Sequence, residues 1–401
     1  MLFDPNRHEA LLEAEWDAAR ASEAISLLEA DMQDSLRPDV GWPVHPLDRD
    51  EEPRSGFNTF YLGAAGTLWA MWYLERQNAV RLRIDPRALI GRTYQSYLAE
   101  PDTGEVVPSY FLGEAGILLV QWHLTGARDA ADRLFTLIRD NIPNPTNEAL
   151  WAAPGTMIGA WHMFRWTGES RWHDLFLENV EQLWRTWLPS RNDHCHLWTQ
   201  HMHGRVAEHL GAGHGFAGNV YPLLCGASLL SGERRQQLHE RCLETLRATG
   251  VFDEDSANWP PETGARTGPK RMLMQWCHGA PGVVTALNAF PKGESPAMDD
   301  MLIAAGNAVW KAGPLTKGYG LCHGTAGNGY ALLALHQRTG DAVWLARARA
   351  FAMHAIQQQL KMREQYGCGR YSLWTGDPGL AVYVWHCLSA SYGMPGLDIL
   401  D

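Results

Sequence analysis

The chain has no apolar run approaching the ~20 residues that a membrane-spanning helix requires. Its first residues, Met1-Leu-Phe-Asp-Pro-Asn-Arg-His-Glu9, are polar and acidic, where a secretory leader needs a basic end followed by an apolar stretch. Without an export signal the chain is expected in the reducing cytoplasm, with its seven cysteines as thiols or metal ligands rather than disulfides. Basic charge is in deficit: 34 Lys and Arg stand against 45 Asp and Glu, a net charge of −11. Nucleic-acid affinity rests on basic residues that release counterions, so no nucleic-acid partner is expected. Low-complexity segments are missing and strand signals are scarce. With 45% hydrophobic and 20% charged residues, the 401-residue chain can still bury a sizeable core, which excludes a wholly disordered protein.

What is abundant is glycine, and it is placed periodically. Gly-x-x-Gly followed by an apolar helical run occurs at Gly63–Gly66, Gly113–Gly116, Gly215–Gly218, Gly279–Gly282, Gly324–Gly327 and Gly376–Gly379. A seventh copy, Ala152-Ala-Pro-Gly155, has lost its first glycine but keeps the distance from its last glycine to a Trp-His pair, as in Gly116 to Trp122. The copies lie about 40 to 65 residues apart, room for two helices each. Runs such as Ile117–Trp122 and Tyr330–Leu335 are apolar nearly all round and read as buried helices. Segments between them, such as Asp341–Met353, are amphipathic and read as outer helices. Seven such alternations describe an all-α fold, an α,α-toroid of seven helical-hairpin repeats over residues 55–401. Residues 1–54 are expected to pack on it as an N-terminal helical segment, with an amphipathic helix over 8–35 outside the repeats. The stretch from Trp259 to Lys270 reads as a loop. Inner helix N-termini gathered at one mouth are expected to present free N–H groups there.

Two motifs are preceded by the same pair, Cys277-His278-Gly279 and Cys322-His323-Gly324. Equivalent positions of neighbouring repeats point to the same axial end, so two Cys and two His meet there. Thiolate and imidazole in a reducing compartment suggest zinc, as a closed Cys2His2 site or a three-ligand site with an open position. His214, in Gly211-Ala-Gly-His-Gly-Phe-Ala-Gly218, occupies the equivalent place in a third motif without a Cys, where it suits an acid or base.

Gly211–Gly218, Trp276–Gly282 and Gly318–Asn328 resemble the signature motifs of the lanthionine synthetase C-like family, over nearly all the chain from about residue 55. Lys317, and Glu148 four positions before Ala152, are most similar to the stand-alone, eukaryotic-type members. The resemblance implies one Zn2+ per chain held by Cys277, Cys322 and His323, with His278 behind those ligands or on the substrate side. It also implies addition of a Cys or glutathione thiolate to dehydroalanine or dehydrobutyrine, with a thioether as product. His214 is then the proton donor, and Glu148 a second catalytic candidate that would orient His214 or only bind backbone donors. The implied partners are a dehydrated peptide or protein substrate and glutathione, whose carboxylates Lys317 and Arg370 would meet.

Two features depart from the family pattern. Leu273 stands where bacterial cyclases usually carry Arg, with Lys270 and Arg271 near but out of register, and Gly367–Arg370 runs almost directly into Tyr371 where glutathione-binding relatives have a longer loop. Two other functions are weighed. A non-catalytic zinc-dependent glutathione or thiol binder needs no acid such as His214. An α/α-barrel glycoside hydrolase needs two carboxylates, for which Glu114 and Asp377 inside the motifs are the candidates, but it leaves the Cys-His pairs without purpose.

Overall fold

The computed structural model describes residues 1–37, 41–49, 54–202, 204–264 and 272–401. Among them are fourteen α-helices. In chain order these are α1 (Ala18–Ser35), α2 (Ala64–Arg76), α3 (Pro86–Ala99), α4 (Glu114–Thr125), α5 (Arg128–Asn141), α6 (Ala153–Thr167) and α7 (Ser170–Thr186). They continue with α8 (Phe216–Cys225), α9 (Gly232–Thr249), α10 (Ala280–Leu287), α11 (Pro296–Ala312), α12 (Thr325–Thr339), α13 (Ala342–Tyr366) and α14 (Asp377–Ser389). The even-numbered helices touch one another in sequence, and α14 touches α2, so they close a ring. α12 is buried continuously from Thr325 to Leu335, as its apolar circumference requires. The odd-numbered helices lie outside; α7 buries Trp172, Leu175, Phe176, Asn179, Val180 and Leu183 at helical spacing and leaves its other face to water.

All seven motifs start the inner helices, and the first residue of each is the N-cap: Gly63, Gly113, Ala152, Gly215, Gly279, Gly324 and Gly376. The second glycine is dictated by contact with backbone. A Cβ on Gly327 would stand 1.7 Å from the Leu321 carbonyl oxygen, and one on Gly155 1.9 Å from that of Ala149. Gly279 also has φ +110°, which side chains rarely tolerate. These carbonyls belong to a tight loop that precedes each inner helix and folds back over its first turn. The loop corrects one expectation. The first N–H groups of α2, α4, α8, α12 and α14 are not free at the mouth but donate to carbonyls of Phe57, Val107, His209, Gly318 and Arg370, all six residues before an N-cap.

The loops also join one another. Gly213 N–H donates to Cys277 C=O, Cys277 to Cys322, Cys322 to Trp374, Trp374 to Tyr61, and Tyr61 to Phe111, at 2.9–3.2 Å. Each of these residues lies two before an N-cap, so this chain of bonds brings equivalent positions of successive repeats side by side. The aromatic rings of Tyr61, Phe111, Trp276 and Trp374 pack together beneath it. From the C-terminal ends of the inner helices, the tail after α14 returns into the ring. There Leu400 C=O accepts from Trp69 Nε1, Leu397 C=O meets His162 Nε2, and Asp398 accepts from the Tyr221 hydroxyl.

The N-terminal helix is shorter than its sequence pattern suggests. It starts at Ala18, where Asp17 caps the N–H groups of Ala19 and Arg20, and it lies against α13 and α14 as the ring's seventh outer helix rather than outside the repeats. Residues 8–17 are not helical, and the start of the segment is held elsewhere: Glu9 N–H donates to Pro314 C=O, His8 bridges to Leu315, and Leu12 N–H donates to His354. Three short hairpins were not anticipated. β1 (Leu188–Pro189) with β2 (His196–Leu197), and β3 (Gln200–Met202) with β4 (Arg205–Ala207), rise between α7 and α8. β5 (Val251–Asp253) pairs with β6 (Ser256–Asn258) before α10. Lys270 and Arg271 lie outside the described residues. No helix among those described is long and apolar enough to cross a membrane.

Candidate functional site

Cys277 and Cys322 are neighbours in the chain of inter-loop bonds, and His323 follows Cys322. Their ligand atoms all lie within 4.8 Å of one another. Both thiols are buried; Gln275 Nε2 donates to Cys277 Sγ at 3.0 Å, and the Tyr61 hydroxyl beside Cys322 favours its charged form. The Cys322 thiol also donates to Cys277, which holds Cys277 well below the usual thiol range against the effect of burial, while the same bond and burial push Cys322 up. Two soft sulfurs, with one imidazole, fit a borderline-soft cation such as zinc. His278, the fourth member of the paired motifs, is not part of that cluster.

His214 stands at the same mouth with Nδ1 3.0 Å from Glu148 Oε2. Glu148 is fully buried at the start of the third repeat's loop and also accepts from the N–H groups of Leu150 and Trp151. Its carboxylate therefore holds the loop and fixes the ring: the Nδ1 that donates to it carries hydrogen, and Nε2 is left for the site. Burial by itself would push the His214 pKa down, but the hydrogen bond and charge of Glu148, with Cys277 adding, leave it raised. About a quarter of the side chain, 26%, is open to solvent.

His278 lies against His214 with ring centroids 5.4 Å apart, and burial pushes its pKa down to about 4. A third imidazole completes the group. His209 lies 6.5 Å from His214 and 6.2 Å from His278, with Nδ1 3.9 Å from Glu262. Sequence reading passed over His209, although it is six residues before an N-cap, the place held by Leu273 and Arg370 in other repeats. Beyond it opens a polar cleft of about 360 Å3 lined by Arg191, Thr199, Arg205, Glu262 and Thr263.

Lys317 is exposed, makes no ion pair among the described residues, and sends its charge to Cys322. Arg370 differs from expectation. Its side chain is 11% exposed and its guanidinium is bound through both Nε and Nη2 to Asp48, so it is not free for a substrate carboxylate. The carboxylates of the hydrolase reading are engaged as well. Glu114 is bridged twice by Arg133 and accepts from Tyr94, whereas Asp377, pushed up to about 6 by burial, accepts from Tyr319.

A family model described as lanthionine synthetase C-like protein matches residues 56–392. Among curated proteins, the chain is 37% identical over 147 residues to a Danio rerio protein named glutathione S-transferase LANCL1, covering 36% of this chain and 35% of that one. It is 34% identical over 203 residues to the LanC-like protein GCL1 of Arabidopsis thaliana, covering 47% of this chain and 43% of that one. These matches span less than half the length of either relative. Among solved structures, nisin cyclase superposes with a TM-score of 0.59 at 14% identity, over 84% of this chain and 94% of that chain. At that identity the likeness speaks for the fold alone.

Proposed function

Because the chain belongs to the lanthionine synthetase C-like family, we propose that it is a zinc-dependent enzyme that adds a Cys or glutathione thiol to a dehydroalanine or dehydrobutyrine residue. The observation that carries this reading is the convergence of Cys277, Cys322 and His323 beside the Glu148–His214 pair. Cys277, Cys322 and His323 would hold the zinc, which would lower the pKa of a substrate thiol and keep it as thiolate at neutral pH.

The remaining steps fall to side chains. The thiolate forms a bond to the β-carbon of the alkene, and the π electrons move onto the α-carbon and its carbonyl as an enolate. His214 returns a proton to the α-carbon, and the proton lost by the thiol restores the balance. Glu148 keeps His214 in one tautomer and favours its charged form. Lys317, exposed near Cys322, meets a carboxylate of glutathione or of a peptide substrate, a role that Arg370 does not share because Asp48 already holds it. Simple capture of a thiol requires no oriented acid, so the Glu148–His214 pair favours the enzyme over a binding protein.

The direct test incubates the protein with a dehydroalanine-containing peptide and either glutathione or a Cys in the same peptide, followed by mass spectrometry. Adduct or ring formation well above that of Cys322→Ala is expected. Equal rates for the two proteins across several thiols and peptide contexts would leave the non-catalytic thiol binder as the better account.

A further inference from the structure

The two sulfurs of the candidate metal centre are supported differently. Tyr61, beside Cys322, belongs to the ring itself, stacked on Trp374. Gln275, which bonds Cys277, is tied to the N-terminal segment: Arg7 Nη2 donates to Gln275 Oε1 at 3.2 Å. That segment crosses the loops that carry the metal ligands. Leu2 C=O accepts from Asn258, and Thr316 N–H donates to Arg7 C=O. His8 Nδ1 meets Gly313 C=O, and the Glu9 carboxylate meets His354 and Gln358 of α13. Residues 313–316, to which it is stitched, lead into the loop bearing Cys322 and His323.

The chemistry of the two partners makes this connection directional. A primary amide can present either its oxygen or its NH2 group to a neighbour, and rotation by half a turn exchanges them. A guanidinium only donates. With Arg7 against it, Gln275 must turn Oε1 toward Arg7, which leaves Nε2 facing the Cys277 sulfur at 3.0 Å. The backbone holds the amide in place, because Gln275 and His278 exchange two N–H to C=O bonds, each 3.1 Å, around Cys277. Gln275 is buried at 6% exposure, so water does not readily substitute for either partner.

We propose that Gln275 is a positioning residue of the metal centre and that the N-terminal strap, residues 1–12, sets its amide through Arg7, coupling strap docking to metal binding. This rests on the metal site proposed above. Outer partners of metal ligands typically change affinity 10–100-fold when removed, and coupling is reciprocal, so bound metal should also tighten the strap.

The test measures zinc affinity by chelator competition and hydrogen exchange of residues 1–12 with and without zinc. Gln275→Leu is expected to weaken zinc tenfold or more. Arg7→Met, which keeps the apolar stem of a half-buried surface residue, should weaken it several-fold, with the double variant no weaker than Gln275→Leu alone. Zinc should slow exchange in the strap of the parent protein and not in Gln275→Leu. If Gln275→Leu fails to fold, Arg7→Met and the exchange measurement on the parent still decide the matter. Parental zinc affinity in Arg7→Met, additive losses in the double variant, or exchange in the strap indifferent to zinc would each overturn the proposal. A parent protein that binds no zinc would instead overturn the metal-site reading beneath it.

Discussion

The backbone N–H of Cys277 donates to the carbonyl of Cys322 across 3.1 Å, joining two residues that hold the same place in consecutive repeats. They stand forty-five positions apart in the chain, with a full outer helix between them. The bond is one member of the series that runs through Gly213, Cys277, Cys322, Trp374, Tyr61 and Phe111. Only two of those positions carry cysteine, and they are adjacent, which is why both sulfurs can face one cation. Four expected outcomes follow from this arrangement and from the packing around it.

Purified protein should contain about one zinc per chain, by elemental analysis. Cys277→Ala, Cys322→Ala and His323→Ala should each lose most of it. Cys368→Ala and Cys195→Ala should retain it, since neither thiol belongs to the cluster. Full zinc content in Cys322→Ala would remove the assignment.

His214→Asn should keep zinc and fold but slow thiol addition by roughly 100-fold, the usual scale for loss of a general acid. The acid form of His214 exists below its pKa, which Glu148 raises, so the rate should fall as pH rises through that value. Replacing Glu148 with Gln removes the charge that raises it, and the falling limb of the pH–rate profile should move to lower pH. A limb that stays in place in Glu148→Gln would show that another group supplies the proton.

Gly327→Ala should destabilise the fold by about 3 kcal/mol or more, because the added carbon meets a backbone oxygen that cannot move aside without disturbing the Cys322 loop. Gly232→Ala, at the first turn of α9 with nothing within 4 Å of the new carbon, should be neutral or stabilising by up to ~1 kcal/mol. Urea denaturation of the two variants makes the comparison. Similar midpoints would mean the loop is not held as tightly as the contact distance requires.

Stability should fall on mild acidification. His386 is buried between Tyr73 and Tyr330, whose hydroxyls meet its two nitrogens at 2.9 and 2.8 Å, and burial pushes its pKa down to about 3. His162 is pushed to about 3 in the same way. Unfolding returns both to about 6.5, so the folded state holds fewer protons between these values. The stabilisation is complete above about pH 6.5 and is lost progressively toward pH 3, at up to about one proton, or ~1.4 kcal/mol per pH unit, for each histidine. Denaturation midpoints at pH 7.5, 6.0 and 5.0 should decline in that order, and His386→Gln should reduce the slope. A flat series would place these rings in contact with water.

By itself the sequence determined the repeat and, through it, the architecture and the shared axial level of the Cys-His pairs. The second glycine of each motif is compelled locally, by a carbonyl six residues earlier in the same unit, so the constraint recurs wherever the unit recurs and is visible as a pattern. Cys277, Cys322 and the imidazoles of His214, His278 and His323 are legible for the same reason, since equivalent places in a ring share an axial level.

What only the tertiary structure decided are the pairings between segments with no periodic relation. Glu148 meets His214 across 66 positions, Arg370 meets Asp48 across 322, and Arg7 meets Gln275 across 268. An arginine reads alike in sequence whether a carboxylate already holds it or a substrate will. Residues 8–17 likewise carry helix-forming composition, yet they stay non-helical: His8 and Glu9 bind Leu315 and Pro314, and Leu12 N–H donates to His354. Local spacing has no access to such distances. Closure of the seven-helix ring sets them.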